Sequence, residues 1–481
     1  MSSLLENTGP NPARSGLAEI LYMAFPIIVG MASATVMQFV DFWMVSGISV
    51  SAAAAVGPAG ILSFAVVSFL VGTLSCTNTF VSQSFARGQH PDCSRYTWQG
   101  LYIALFGGAA ALVLWPLTPK LIALLGNEPD LQPLETVYFR VRLLSVGSMA
   151  AITALSGFFQ GTRRPRLAMY AALVGNVFNV GANWVFIYGN LGFPKMGVAG
   201  AALGTVLASL LQAGMMLFMF LSRRDNRDYK SRSVWRLDRV ALGQLFRIGW
   251  PAGVQFILDV GCWGIFVAVI LGRMGPDVLA ASNIAGQMLQ VSFMPTVGLS
   301  IAVTALVGQY VGRRDFATAR ARAHTALLLG MGYMATMGLV FLLLRSQLVL
   351  LFRTEPNIVT LGGQILILCA VFQIFDAMGI VASGALKGAG DTRFPAAVFI
   401  LYGWFFFVPS AYLMTYVLGW GALGAWGGAC IYIIALGMTL LWRWRSGSWE
   451  KIDVFRTKEA LAVQAQPVPP PLHYEAGDEL P

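Results

Sequence analysis

The chain has 481 residues, 57% of them hydrophobic and only 11% charged, with a formal net charge of +10. A soluble globular protein carries about 25% charged residues, so this composition excludes an ordinary water-soluble domain and indicates a polytopic membrane protein. Its basic residues sit in short loops between apolar runs, where such residues fix topology, and this removes the nucleic-acid reading that a charge of +10 would otherwise invite.

A helix needs about 20 mostly apolar residues to cross the hydrocarbon core. Twelve such runs follow one another at 18–44, 54–82, 97–118, 136–160, 168–189, 197–221, 245–271, 279–307, 324–345, 361–385, 395–418 and 422–443. The first is preceded by a polar segment, residues 1–16, and is too long for the apolar stretch of a cleavable signal. The longest polar break is the basic linker at 222–244, and the segment at 444–481 reads as a tail, Pro-rich and disordered from Ala465. The fold class expected is an all-α integral membrane protein, with six helices over 17–221 and six over 245–443 around a central cleft.

The loops after even-numbered runs hold Arg87 and Arg95, then Arg163, Arg164 and Arg166, seven basic residues from Arg223 to Arg239, Arg313, Arg314, Arg320 and Arg322, and Lys387 and Arg393. The odd-numbered loops hold only Lys120, Lys195, Arg273, Arg345 and Arg353, with Arg140 and Arg142 at the start of the fourth run. This bias places both termini in the cytoplasm, in a plasma (inner) membrane crossed many times.

The two halves repeat. "VSQSFARGQ" from Val81 returns as "VGQYVGRRD" from Val307, "SGFFQG" from Ser156 as "SGALKG" from Ser383, and "GVAGAA" from Gly197 as "GAWGGA" from Gly424. Six runs per copy is an even number, so both copies start on the same side. They are then parallel repeats related by an axis along the membrane normal, an arrangement suited to alternating access.

Three acids lie well inside the runs: Asp41, Asp259 and Asp376. A charge at mid-membrane costs at least about 2.5–3.5 kcal/mol on insertion scales, so each must be protonated or matched by a cation. No Lys or Arg stands inside these runs as an evident partner, which leaves a proton or a small cation such as Na⁺. A protonated Asp that merely bonds two helices is the bland alternative. Helical spacing adds polar neighbours: Gln38 beside Asp41, Gln255 beside Asp259, Gln373 beside Asp376, a stripe of Asn283, Gln287 and Gln290, a second of Asn176, Asn179 and Asn183, and Thr205 in the sixth run. Amides offer the carbonyl oxygens a hard cation needs, although interhelical hydrogen bonding explains the Gln residues equally well.

The five cysteines stand singly and the three histidines far apart, so no metal site is indicated. The GxxxG pairs at Gly157 and Gly384 read as close helix packing, and the GxGxxG spacing at Gly419 joins two membrane runs with no βαβ unit around it. No phosphate-binding GxxxxGK[ST] loop and no catalytic constellation is present, which argues against an enzyme or a nucleotide-driven pump and for transport driven by an ion gradient.

With "FVDFWMVSG" closing the first run, "SGALKGAGDTRFP" after the tenth and "NVFNVGANWVFIYGNLGFPKMGVAGAALGTVLA" from Asn176, residues 15–445 resemble the multidrug and toxic compound extrusion (MATE) transporters. The resemblance implies a secondary antiporter that exports cationic or amphipathic small molecules in exchange for Na⁺ or H⁺, with no cofactor and with the lipid bilayer rather than a protein as its surroundings. It implies coupling roles for Asp41, Asn179, Asn183 and Thr205 in the first half, and for Asp259 and Asp376 in the second. Asn183 is an aspartate in some members, Asp259 is usually a glutamate, and Phe372 stands where a tyrosine is common. The alternative is a flippase of the same superfamily for a lipid-linked or polysaccharide precursor. Such proteins line the cleft with basic residues, whereas here three acids remain.

Overall fold

The computed structural model describes residues 16–124 and 128–455; the polar N-terminal segment and the Pro-rich tail lie outside them. All regular structure among the described residues is helical. The first half comprises α1 (Gly16–Ser46), α2 (Val50–Leu74), α3 (Thr77–Ala86), α4 (His90–Ala111), α5 (Thr118–Ala123), α6 (Gln132–Leu143), α7 (Val146–Gly161), α8 (Pro165–Tyr188) and α9 (Val198–Phe220). After a short α10 (Arg223–Tyr229), the second half comprises α11 (Arg239–Ile265), α12 (Pro276–Gly312), α13 (Phe316–Leu350), α14 (Pro356–Ala389), α15 (Arg393–Tyr402), α16 (Val408–Tyr412) and α17 (Gly421–Arg445).

Among the described residues, eleven helices are long and apolar enough to cross a membrane, or twelve when α6 and α7, bent by 42° at their junction, count as one span. The twelve expected spans are present with shifted edges. The second is α2 and α3 in series, the third begins at His90, and the seventh begins at Arg239 inside the expected linker. The eleventh is α15 and α16 with π-helical segments at Gly403–Phe407 and Leu413–Val417.

The duplication is written in the backbone. Where α3 and α12 end, Gly88 (φ 73°) and Arg314 (φ 62°) are left-handed; where α7 and α14 end, Arg163 (φ 63°) and Gly390 (φ 95°) are. Each ending closes with the same pair of bonds. Gln89 N–H reaches Ser84 O at 3.0 Å as Asp315 N–H reaches Tyr310 O at 2.9 Å, and Arg164 N–H reaches Phe159 O at 2.7 Å as Asp391 N–H reaches Leu386 O at 2.9 Å. This is the six-to-one bond of the Schellman motif.

The two bundles meet along α1 with α12, α3 with α12, and α2 with α11. Small residues allow it: a Cβ on Gly72 would lie 2.8 Å from the Gly253 Cα, and one on Gly249 would lie 2.2 Å from the Thr73 carbonyl oxygen. Toward the basal face, where α1 begins, polar side chains lock the seam. Thr79 Oγ1 donates to Lys387 O at 2.8 Å, Gln83 Nε2 to Gly388 O at 3.0 Å, and Gln309 Nε2 to Gly161 O at 2.9 Å.

Residues 448–455 do not trail away as the expected tail at 444–481 would. Trp449 stacks on Trp444, and Glu450 pairs with Arg320. Val454 is buried in the first bundle's core, and the Phe455 ring packs against Phe80, Tyr96 and the Arg87 guanidinium. Gln244 Nε2 of α11 donates to Phe455 O at 3.1 Å. The segment therefore straps the end of the second bundle across the first.

Candidate functional site

In the first bundle, α1, α8 and α9 converge on Asp41. Asn179 and Asn183, one turn apart on α8, are both fully buried. Asn183 Nδ2 donates to Asp41 Oδ1 at 2.6 Å and to Asn179 Oδ1 at 3.1 Å. With its amide turned so that nitrogen faces the carboxylate, Asn179 gives up the bond from Asn183 and instead donates to Asp41 Oδ1 at 2.6 Å and accepts from Thr205 N–H at 3.2 Å. Asn183 Oδ1 is buried without a partner among the described residues. It fits only because residue 204 is glycine, where a Cβ would lie 2.1 Å from that oxygen. The α8 stripe runs on in both directions, with Asn176 Nδ2 donating to Ser33 Oγ at 2.7 Å and the Tyr188 hydroxyl to Met44 O at 3.0 Å. The sequence thus zips α8 to α1 with polar pairs and leaves one carboxylate in a cage of amides.

The expected partnership of Asp41, Asn179, Asn183 and Thr205 is therefore a single cluster. Thr205 joins it through its backbone N–H, since its hydroxyl donates to Ala201 O at 3.1 Å. Neutral amides orient the carboxylate but bring no charge. A bound proton or small cation would find the Asp41 carboxylate, a hard-oxygen donor that suits it.

In the second bundle, Asp259 lies on α11 and Asp376 on α14, both half-buried. Neither acid makes a hydrogen bond to another described residue. Their glutamines behave differently. Gln373 is fully buried and donates to Ser292 Oγ at 3.0 Å, so it ties α14 to α12 and does not line a cleft. Gln255 is buried, and its Oε1 has no partner among the described residues. Gln38, Asn283 and Gln287 are exposed and make no hydrogen bond with the described residues.

No base forms an ion pair with Asp41, Asp259 or Asp376 among the described residues, but two basic residues stand nearer the spans than expected, Arg142 on α6 and Lys387 on α14. Lys387 was counted as a loop residue, but α14 continues to Ala389 and carries it inside. Arg142 was counted as a span edge, but the break at Leu144 places it within the bundle. The acids also number more than the three at mid-span. Glu19, two residues into the first expected span, is buried between Arg163 and Arg322; Arg322 Nε donates to Glu19 Oε2 at 2.6 Å, and the Tyr310 hydroxyl to the same oxygen at 2.9 Å. Arg163 Nε in turn donates to Gln309 Oε1 at 2.7 Å. This cluster joins both bundles at the basal face.

Two pseudo-symmetric helical bundles, buried carboxylates and a sealed basal seam define a membrane transporter. The chain belongs to the MatE family, whose sequence pattern matches residues 26–185 and 251–413. It is 32% identical over 445 residues to the "Probable multidrug resistance protein NorM" of Pseudomonas putida, covering 89% of this chain and 94% of that protein. It is 28% identical over 434 residues to the "Multidrug resistance protein PmpM" of Pseudomonas aeruginosa, covering 89% and 91%. Its fold matches a solved outward-facing multidrug resistance MATE family transporter of the MOP superfamily with a TM-score of 0.82, at 20% identity and with 92% and 98% of the two chains covered.

Proposed function

We propose that this protein is a secondary antiporter that exports cationic or amphipathic small molecules in exchange for Na⁺ or H⁺. The observation that carries the reading is Asp41 in its amide cage, held by Asn183 at 2.6 Å. A carboxylate so placed is costly unless its charge state changes during the cycle. Binding a proton or cation neutralises it and alters the pull on α1, which carries Pro26 inside the helix as a point of bending. The basal face is then the cytoplasmic one, as the loop charges indicate, and rocking of the two bundles changes which end is open. The relatives' names as multidrug resistance proteins support the substrate class. The three carboxylates inside the spans, Asp41, Asp259 and Asp376, favour cations over the phosphates of a flippase substrate.

The test is ethidium efflux from preloaded, de-energised cells, started by a Na⁺ pulse or an imposed proton gradient. Efflux above the empty-vector rate is expected, and the pulse that starts it identifies the ion. Asp41→Asn is expected to lower efflux at least tenfold. Efflux by that variant at the wild-type rate, or none from the wild type under either pulse, would overturn the reading.

A further inference from the structure

The two halves cap their last spans alike, up to one point. In the first half, the Tyr229 ring at the end of α10 meets His90, the first residue of α4, at 5.6 Å. In the second, Trp449 meets Phe316, the first residue of α13, at 5.8 Å and stacks on Trp444 at 4.4 Å. His90 and Phe316 are 226 residues apart, the offset of the duplication. Each cap stays on its own bundle, Asp225 paired with Arg164 and Glu450 with Arg320. Past Glu450 the symmetry fails, because residues 453–455 cross to the other bundle. Phe455 N–H donates to Asp453 Oδ1 at 3.1 Å, which shapes the turn. Asp453 stands 3.6 Å from the Arg87 guanidinium, and that guanidinium lies 4.3 Å from the centre of the Phe455 ring, within range of a cation–π contact. The same ring meets Phe80 and Tyr96, both at 5.8 Å. Val454 is 3% exposed, set in the first bundle's core and against Gly390, where a Cβ would collide with it. Gln244 of α11 accepts from the Tyr96 hydroxyl at 2.7 Å while it donates to Phe455 O, so it joins the same knot.

We infer that residues 453–455 are a latch across the basal seam, and that Phe455 must leave its place on Phe80, Tyr96 and Arg87 before that face opens. The inference rests on the alternating-access reading above, since rocking separates the bundles that the latch joins. It lies directly over the seam bonds, because Gly390 follows by two residues the Gly388 carbonyl that Gln83 holds. The parting falls at Phe455 and not at Trp449. Trp449 is fully buried in its own bundle and moves with it. Phe455 is only half-buried and Asp453 is exposed, where an ion pair adds little. A short segment with one firm end and one weak end opens locally without unfolding the bundles. The latch therefore biases the resting protein toward a closed basal face, and weakening it shifts the population toward the open one.

The test uses the purified full-length protein and two readouts. The first is ethidium transport in proteoliposomes by Arg87→Cys with Asp453→Cys, before and after a short, membrane-permeant bis-methanethiosulfonate bridges the two thiols. Bridged protein is expected to transport at least tenfold more slowly, and dithiothreitol to restore the untreated rate. Either single variant should be unaffected by the same treatment. Bridged protein that transports at the untreated rate overturns the latch. A folded double variant that does not bridge overturns it too, because the strap then does not lie against Arg87. The second readout is maleimide labelling of Cys76, which is buried between the bundles. Phe455→Ala is expected to raise it several-fold, and Phe455→Tyr, which keeps the ring, to leave it at the wild-type rate. Equal labelling of wild type and Phe455→Ala overturns the latch even where the cysteine pair fails to fold. No transport by the wild type overturns the antiporter reading instead, and Cys76 labelling then decides the latch by itself.

Discussion

Arg164 and Asp391 occupy the same place in the two halves, 227 residues apart, and carry opposite charges. Each follows a left-handed residue, and each ties its turn to the end of its own bundle. Arg164 Nη1 donates to Asp225 Oδ1 at 2.5 Å on α10, and Arg443 Nε of α17 donates to Asp391 Oδ2 at 2.8 Å. The duplication kept the tie and exchanged its charges.

Removing Arg164 strands a buried carboxylate. Arg164→Ala is expected to cost about 3 kcal/mol, the usual order for breaking one partner of a buried pair, and Arg164→Asp with Asp225→Arg to recover at least half of it in thermal melts. Burial already pushes the Asp225 carboxyl above its ordinary value, against the opposing pull of Arg164. The alanine variant raises it further. A raised carboxyl binds its proton more readily in the folded chain, so the deficit of the variant should shrink as pH falls and grow as pH rises through the folded value. A deficit that is the same from pH 5 to 8 would contradict this account.

Gly88 and Arg314 share the left-handed region, yet only one of them is suited to it. That conformation costs a residue with a Cβ roughly 1–2 kcal/mol. Arg314→Gly is expected to stabilise the chain by about 1 kcal/mol and Gly88→Ala to destabilise it by about as much. A Cβ at Gly88 meets no atom within 4 Å, so packing does not cloud the comparison. Melting temperatures that move together, or not at all, would show that the turn is not the cause.

Much of this architecture is legible in the sequence because the bilayer makes one demand, about 20 apolar residues per crossing, and because the repeats "SGFFQG" and "SGALKG" align the halves. The N-bundle cluster is legible as well, since Asn176, Asn179 and Asn183 share a helix face with no apolar alternative. The bases are not. Lys387 sits in a stretch that reads as a loop, and only its helix, continuing to Ala389, turns it inward. Gln373 looks identical to Gln255 in a helical plot, and tertiary packing alone assigns it to Ser292. Residues 448–455 carry no periodic signal, because their burial comes from two bundles they contact one side chain at a time.

Asp238 caps α11, accepting from Val240 N–H at 2.9 Å and Ala241 N–H at 3.0 Å while it pairs with Arg95. Asp238→Ala is expected to cost about 1 kcal/mol. Burial is the largest single effect and raises its carboxyl, but the Ala241 amide and the Arg95 guanidinium together outweigh it and hold the carboxyl below its ordinary value of 3.8. A depressed carboxyl contributes stability above its unfolded value and loses it as pH falls through the folded one. Wild type and Asp238→Asn should therefore differ at neutral pH and converge below about pH 3.8. Parallel curves in acid unfolding would rule out the charged cap.

Glu19 is the strongest candidate for the bond that must break when the basal seam opens. It lies on α1, as Asp41 does, with Pro26 between them, and it holds Arg163 on its own side and Arg322 and Tyr310 on the other. Any pull on α1 caused by neutralising Asp41 acts along the helix that carries this contact. Glu19→Gln keeps the shape but removes the charge that both guanidinium groups share. The expected result is a looser seam. Its native reporter is Cys76, buried between the bundles with its Sγ 3.5 Å from Leu245 O. Maleimide modification of Cys76 should rise several-fold in Glu19→Gln and disappear in a Cys76→Ala background. Modification at the wild-type rate in a folded Glu19→Gln protein would show that the seam is held by the Thr79, Gln83 and Gln309 bonds alone, and that Glu19 only satisfies two buried arginines.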